Sequence, residues 1–281
     1  MLLDGKRIAG EVRNRLKPRV EALRSKGIAP CLAAIVIGDD PASHAYVGMK
    51  AKACASVQME SKVVALPSEI DQRQAEQRLL ELARDPSVHG ILLQHPAPKH
   101  LDEMRLLSLI PVEKDVDGIS PGSLGALTAG IKGFEPCTPK GMIRLLDEYK
   151  IAIEGKRAVV IGRSVILGKP MALMLLNRNA TVTICHSKTV DLPQVAREAD
   201  ILVAAVGRAE MIDANYVKPG AAVLDAGYNR LPDRSGDVGD VRFDAVAPIA
   251  SYITPVPGGV GPMTVAMLLE NTVEAAENAS A

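Results

Sequence analysis

Residues Cys31 to Ile37 read CLAAIVI, seven apolar side chains in succession with no polar alternation. A strand with one wet face alternates; a short unbroken run describes a strand buried on both faces, the mark of a parallel sheet covered by helices. The surrounding sequence fits that reading. Asp4 caps a predicted helix whose apolar positions Ile8, Val12, Leu16, Val20 and Leu23 recur every three or four residues towards Gly27. A helical stretch over 43–57 follows, then a strand at Lys62–Leu66, a helix at Asp71–Arg84 and a strand at Gly90–Gln94. Such alternation implies βαβ units.

Residues 111–137 interrupt the rhythm with Pro111, Pro121, Pro136 and five glycines from Gly118 to Gly133, and read as a long functional loop or linker. Thr138-Pro139 opens the next helix, Thr as cap and Pro in the first turn, running to about Tyr149. A second alternation has strands at Ala158–Ile161, Thr181–Cys185, Ile201–Val206 and Ala222–Asp225, and helices from Gly168 and near Leu192–Arg197. A helix from Pro262 to about Ala276 follows a Pro/Gly-rich loop. The expected architecture is α/β with two α/β domains, 1–137 and 138–261. The second is a nucleotide-sized, Rossmann-like block, and the last helix (262–281) packs back on the first. The length, 281 residues, suits two domains at roughly 150 residues each.

Composition excludes several classes of function. Lys and Arg number 33 against 33 Asp and Glu, so the chain lacks the basic excess of a general nucleic-acid or anionic-membrane binder. Aromatic residues make up 2 % with no Trp, too few for a base-stacking platform. Cys31, Cys54, Cys137 and Cys185 are far apart with no metal-ligand spacing, and read as buried thiols of a reducing compartment; no metal is expected. The first ten residues carry charge where a signal peptide is apolar, and the longest uncharged run, Ala245 to Leu269, holds four prolines. A soluble, cytoplasmic protein is expected.

Four segments carry candidate chemistry. Val160-Ile161-Gly162-Arg163-Ser164 through Gly168-Lys169-Pro170 runs strand, glycine turn, helix, a junction that offers free N–H groups to a phosphate. Its G-x-S-x-x-x-G spacing meets the generic dinucleotide fingerprint only in part. After the next strand, where an NAD enzyme places a carboxylate for the ribose 2′-hydroxyl, Ser187 and Lys188 suit a 2′-phosphate, which favours NADP. In the second segment, 41–50, a helix puts Ser43, Tyr46 and Lys50 on one face, where a tyrosine hydroxyl beside a partly desolvated lysine relays protons. In most proteins Y-x-x-x-K is merely a solvated lysine beside a half-buried tyrosine. The third pairs Gln94, at a strand's carboxyl end, with Asp117 of Lys114-Asp115-Val116-Asp117-Gly118. Asp117 can accept two hydrogen bonds from an amino-heterocycle or simply make an Asp-Gly turn. Asp115 reads as a turn residue. The fourth, Tyr252 to Thr264, is a Gly/Pro-dense loop running into a helix, where backbone can approach a ligand closely.

In this order the four segments resemble the bifunctional methylenetetrahydrofolate dehydrogenase/methenyltetrahydrofolate cyclohydrolase family over nearly the whole chain, from Leu3-Asp4-Gly5-Lys6 to Glu270-Asn271-Thr272. The ITPVPGGVGPMT and KDVDG runs are its specific motifs. The resemblance implies NADP-dependent oxidation of 5,10-methylenetetrahydrofolate to the methenyl cation, then hydrolysis to 10-formyltetrahydrofolate, in an active-site cleft between a folate-binding domain and a Rossmann-like NADP-binding domain. It implies Lys50 as the main catalytic residue, with Tyr46 bonding Lys50 and lying against the aminobenzoyl ring. Gln94 would hold Lys50, and Asp117 the pterin's amino edge. Gly162, Arg163, Ser164 and Ser187, with the backbone at Tyr228, would contact NADP; Ser43, Pro255, Gly258 and Gly259 would shape the folate side. A homodimer is also implied. The chain departs from the family pattern at His95 and Ala97, where Leu is usual. It departs again at Ile119-Ser120-Pro121, at Ser123 (commonly Asn) and at Tyr228 (commonly Ile). These departures bear on substrate tightness and on the balance of the two activities. Three alternatives are thereby left: a dehydrogenase with weakened or lost cyclohydrolase activity, an NADP enzyme acting on another small molecule, and a non-catalytic binder.

Overall fold

The structure, a computed structural model, describes residues 1–231 and 236–280. The expected final helix, 262–281, therefore ends on a residue outside those described. The chain divides into two compact units, one of Gly10–Cys137 with Val265–Ala281 and one of Met1–Ala9 with Thr138–Thr264.

The first unit is built from α1 (Gly5–Ser25) beyond its first five residues, β1 (Cys31–Ile37), α2 (Pro41–Ser56), β2 (Glu60–Leu66), α3 (Gln72–Arg84), β3 (Gly90–Leu93), α4 (Glu103–Ser108) and α5 (Pro121–Ala129). Its sheet is parallel in the order β2-β1-β3, with Ile35 paired to both Val64 and Leu93. All seven β1 side chains are buried, as the unbroken apolar run requires. Helix starts are chemically marked: Asp40 accepts the Ser43 amide at 2.9 Å ahead of Pro41, and Asp71 with Gln74 forms a capping box. The Gln94 amide donates to the Ile35 carbonyl at 2.8 Å, so Gln94 stands just past β3 at the carboxyl edge of the sheet.

One expectation needs correcting. Residues 111–137 are not one long loop: α5 lies within them, with Ser120 accepting the Ser123 amide at 3.2 Å, Pro121 in the first turn and Gly130 closing the helix at φ +67°. Gly122 and Gly125, and an apolar surface all round, leave no helical period to read. The preceding turn is fixed by buried Asp115, whose carboxylate accepts the Gly118 and Ser120 amides at 3.1 and 2.8 Å, in keeping with its reading as a turn residue.

The second unit contains α6 (Cys137–Glu148), β4 (Arg157–Ile161), α7 (Gly168–Asn177), β5 (Thr181–Cys185), α8 (Leu192–Ala196), β6 (Ile201–Ala204), β7 (Ala222–Asp225), β8 (Asn229–Arg230), β9 (Asp237–Val238), α9 (Phe243–Val246) and β10 (Tyr252–Ile253). α10 (Val260–Ala279) closes the described chain. A five-stranded parallel sheet runs β10-β7-β6-β4-β5, so chain order reverses about β4, the switch point at which open α/β sheets bind ligands. Residues 1–9 belong here because Leu2 bridges Ile253 and the Leu3 amide donates to the Ile253 carbonyl at 2.9 Å. α6 starts at Cys137, one residue before the expected cap; the Thr138 hydroxyl instead shares a 3.0 Å hydrogen bond with Thr264. No described helix is long and apolar enough to cross a membrane.

Candidate active site

α2 carries Ser43, Tyr46 and Lys50 at spacings of three and four. The Lys50 ammonium donates to Gln94 Oε1 at 2.9 Å, and Gln94 Nε2 donates to the His95 carbonyl at 2.9 Å. Lys50 thus sits at the carboxyl edge of the sheet although 44 residues separate it from Gln94. Burial pulls the Lys50 pKa below its ordinary 10.5, against the opposing pull of Asp117. Burial likewise pushes the Asp117 carboxyl up, opposed by the charges of Lys50 and His95. Both shifts favour neutral forms, so the amine can take a proton that an exposed lysine refuses. Ser43 is buried, and its hydroxyl donates to Asp40 at 2.8 Å within the helix cap. Tyr46 lies one turn before Lys50 and is 40 % exposed.

Sequence reasoning missed two residues beside this group. The Cys137 thiol donates to the Val116 carbonyl at 3.2 Å, and the Cys137 amide donates to the Asp117 carbonyl at 3.3 Å. Buried Asn271, on the last helix, donates to the same Val116 carbonyl at 2.8 Å. The signal was present only as an Asn within the largely apolar last helix, and as a cysteine 20 residues past Asp117. The four cysteines are buried and none is in a disulfide, and among the described residues no three His, Cys, Asp or Glu side chains form a metal site.

In the other unit Gly162 leaves β4 at φ +137°, and a Cβ there would lie 2.2 Å from the Ala205 carbonyl oxygen. A Cβ on Gly168 would lie 2.3 Å from the Gly162 carbonyl oxygen. Both positions demand glycine. The turn between them exposes Arg163 and Ser164 at the sheet's carboxyl edge. β4 and β5 pair in parallel with Ile161 opposite Cys185, so the exposed Ser187 and Lys188 that follow β5 lie at the same edge. A tight glycine turn, a helix amino end, an arginine and a Ser-Lys pair have the chemistry to hold a phosphorylated dinucleotide. Tyr228 is exposed, and its hydroxyl donates to Asp237. Gly258 (φ +111°) and Gly259 belong to a packed loop: the Lys6 amide donates to the Gly258 carbonyl at 2.8 Å, and a Cβ on Gly259 would lie 2.6 Å from the Pro255 carbonyl oxygen.

A pair of carboxylates, also unforeseen, ties this edge together. Asp240 is fully buried and accepts the Val206, Gly207 and Arg208 amides at 2.7 to 2.9 Å, together with Asn229 Nδ2 at 3.0 Å. Asp225 accepts the Gly227, Asp240 and Val241 amides at 2.8 to 3.0 Å. Burial, with Asp240 close by, pushes the Asp225 pKa from 3.8 to about 6 despite those three donors.

Residues 3–117 match the family model for the tetrahydrofolate dehydrogenase/cyclohydrolase catalytic domain, and residues 136–280 the model for its NAD(P)-binding domain. The bifunctional protein FolD of Moorella thermoacetica is 52 % identical over 275 residues, 98 % of each chain. Among solved structures, the bifunctional FolD of Campylobacter jejuni is 49 % identical with a TM-score of 0.97 over 99 % of both chains. The dehydrogenase-cyclohydrolase of Trypanosoma brucei, solved with NADP and an inhibitor, is 38 % identical with a TM-score of 0.95, over 100 % of this chain and 98 % of its own.

Proposed function

Given that this chain belongs to the tetrahydrofolate dehydrogenase/cyclohydrolase family, we propose how its own residues divide the work of a bifunctional enzyme. The chain oxidises 5,10-methylenetetrahydrofolate with NADP⁺ and hydrolyses the resulting 5,10-methenyl cation to 10-formyltetrahydrofolate. The dehydrogenase-only alternative is set aside, because relatives about half identical over the full length are bifunctional.

Bound NADP⁺ supplies the acceptor for the hydride that leaves the methylene carbon. Gly162, Arg163, Ser164 and Ser187 hold its phosphates and ribose, and the Tyr228 backbone meets the nicotinamide half. The glycine cradle fits such a group, since a side chain at Gly162 or Gly168 would close it. Hydride transfer asks only for placement, so no acid or base is assigned to it.

Hydrolysis does need proton handling. Water adds to the methenyl carbon and loses one proton, giving a neutral carbinolamine; its hydroxyl then gives up its remaining proton as the carbon–N5 bond breaks and N5 takes one up, which leaves the formyl group on N10 and releases one proton overall. Lys50, held by Gln94 and depressed in basicity by burial, takes the proton and returns it. Asp117 anchors the pterin's amino edge. Ser43, Tyr46, Pro255, Gly258 and Gly259 shape the folate side, Ser43 through its cap bond to Asp40. The observation that carries this reading is the 2.9 Å Lys50–Gln94 hydrogen bond beside Asp117.

The protein is proposed to act as a homodimer: among the described residues β5 is the edge of its sheet, and Ile184 on it is exposed. Four buried cysteines outside any disulfide fit a cytoplasmic setting. A spectrophotometric assay with methylenetetrahydrofolate and NADP⁺ tests the function. NADPH should appear with no lasting methenyl absorbance, and kcat/KM should be higher with NADP⁺ than with NAD⁺. Equal kcat/KM for the two would remove Ser187 and Lys188 from cofactor choice.

A further inference from the structure

Resting on the role just given to Lys50, we propose that Glu103 is a positioning residue for the hydrolytic lysine: its carboxylate clamps the turn His95–Ala97, which fixes Gln94 and, through it, Lys50. The contacts form one path. Lys50 Nζ donates to Gln94 Oε1 at 2.9 Å, and Gln94 Nε2 donates to the His95 carbonyl at 2.9 Å. Glu103 then grips that turn at two points. Its Oε2 accepts the Ala97 amide at 2.6 Å, and its Oε1 lies 3.0 Å from His95 Nδ1. The second is a close polar contact without hydrogen-bond alignment. Both ring nitrogens of His95 are shut away from solvent and lack a hydrogen bond, and the Glu103 carboxylate is the polar group that faces the ring there. On the other side His95 acts electrostatically on Asp117.

Glu103 can serve as an anchor because α4 is itself fixed. Asp102 accepts the Arg105 amide at 3.0 Å, the Asp102 amide donates to Gln72 at 2.8 Å, and Leu106 and Leu107 are buried in the core. The carboxylate is therefore presented from a rigid element to a turn with no side chain of its own in the Lys50–Gln94 bond. Gln94 needs such support: an amide that must accept from Lys50 through one atom and donate through the other is useful only if its donor side has a fixed acceptor.

The account separates the two activities. Misplacing a proton shuttle slows hydrolysis, whereas hydride transfer depends on placement of the two reacting carbons. The test compares Glu103→Ala, Glu103→Gln and Lys50→Met, each assayed for hydrolysis of supplied methenyltetrahydrofolate and for NADPH formation, with melting curves as a folding control. Glu103→Ala should lower the cyclohydrolase kcat about tenfold, with KM and the dehydrogenase kcat within about twofold of the parent. Glu103→Gln, whose carbonyl oxygen still accepts from Ala97, should recover most of that loss. Unchanged hydrolysis in Glu103→Ala, or an equal fall in both activities, overturns the inference while Lys50→Met remains inactive in hydrolysis. If Lys50→Met itself still hydrolyses, the reading of the site fails instead.

Discussion

Asp225 shows how much a single buried carboxyl can make stability depend on pH. Its pKa rises from 3.8 to about 6 on folding, so the folded state binds the proton more tightly than the unfolded one. Its contribution is most favourable below pH 4, is lost as pH rises from about 4 to 6, and is flat above. Holding the ionised form at pH 7 costs about 3 kcal/mol. Asp225→Asn removes the titration along with the acceptor geometry. Between pH 7 and pH 5 the parent should therefore gain about 1 kcal/mol relative to the variant in urea unfolding. A gap that does not change with pH would place the proton elsewhere. The places of Lys50, Gln94 and Asp117 in the fold were legible in the sequence because each sits at a motif with local order, at a helical spacing, a strand end or a glycine turn. Asp240, Cys137 and Asn271 were not. Their partners are brought up by the fold, 134 residues away for Asn271 and Cys137, and no local pattern reports such a meeting.

At the scale of elements, the unbroken runs were the readable part. β1, β5 and β7 match the expected strands residue for residue; for β1 and β7 the reason is burial on both faces, whereas β5 is an exposed edge strand read from its β-branched side chains. Short elements escaped: α4, α5 and the two-residue strands are held by caps and neighbours rather than by a period. The β4–α7 turn is where element geometry becomes function. Gly162→Ala puts a methyl 2.2 Å from the Ala205 carbonyl oxygen at a φ of +137°, so the turn must open or shift. We expect a loss of about 2 kcal/mol in stability. NADPH affinity, followed by fluorescence titration, should weaken at least about tenfold if the turn binds the phosphates. Unaltered affinity in a folded variant would show that the cofactor's phosphates are held elsewhere.

For the molecule as a whole, the free edge of β5 is the feature that a lone chain leaves unsatisfied. β10, at the other edge, has Leu2 bridged to Ile253, whereas β5 has no strand beyond it among the described residues. Ile184 on β5, with nearby Val190, is exposed at 43 % and 80 %. Pairing with a second copy would cover both. Sedimentation should show a dimer for the parent and a shift to monomer for Ile184→Lys; a parent that sediments as a monomer at micromolar concentration contradicts this. The central claim is that one chain performs two chemically distinct steps and that only hydrolysis depends on Lys50. Its most direct test is a time course of Lys50→Met with methylenetetrahydrofolate and NADP⁺, following NADPH and methenyl absorbance together. Methenyltetrahydrofolate should accumulate in step with NADPH in the variant and not in the parent; a variant that clears it at the parent's rate would contradict the account.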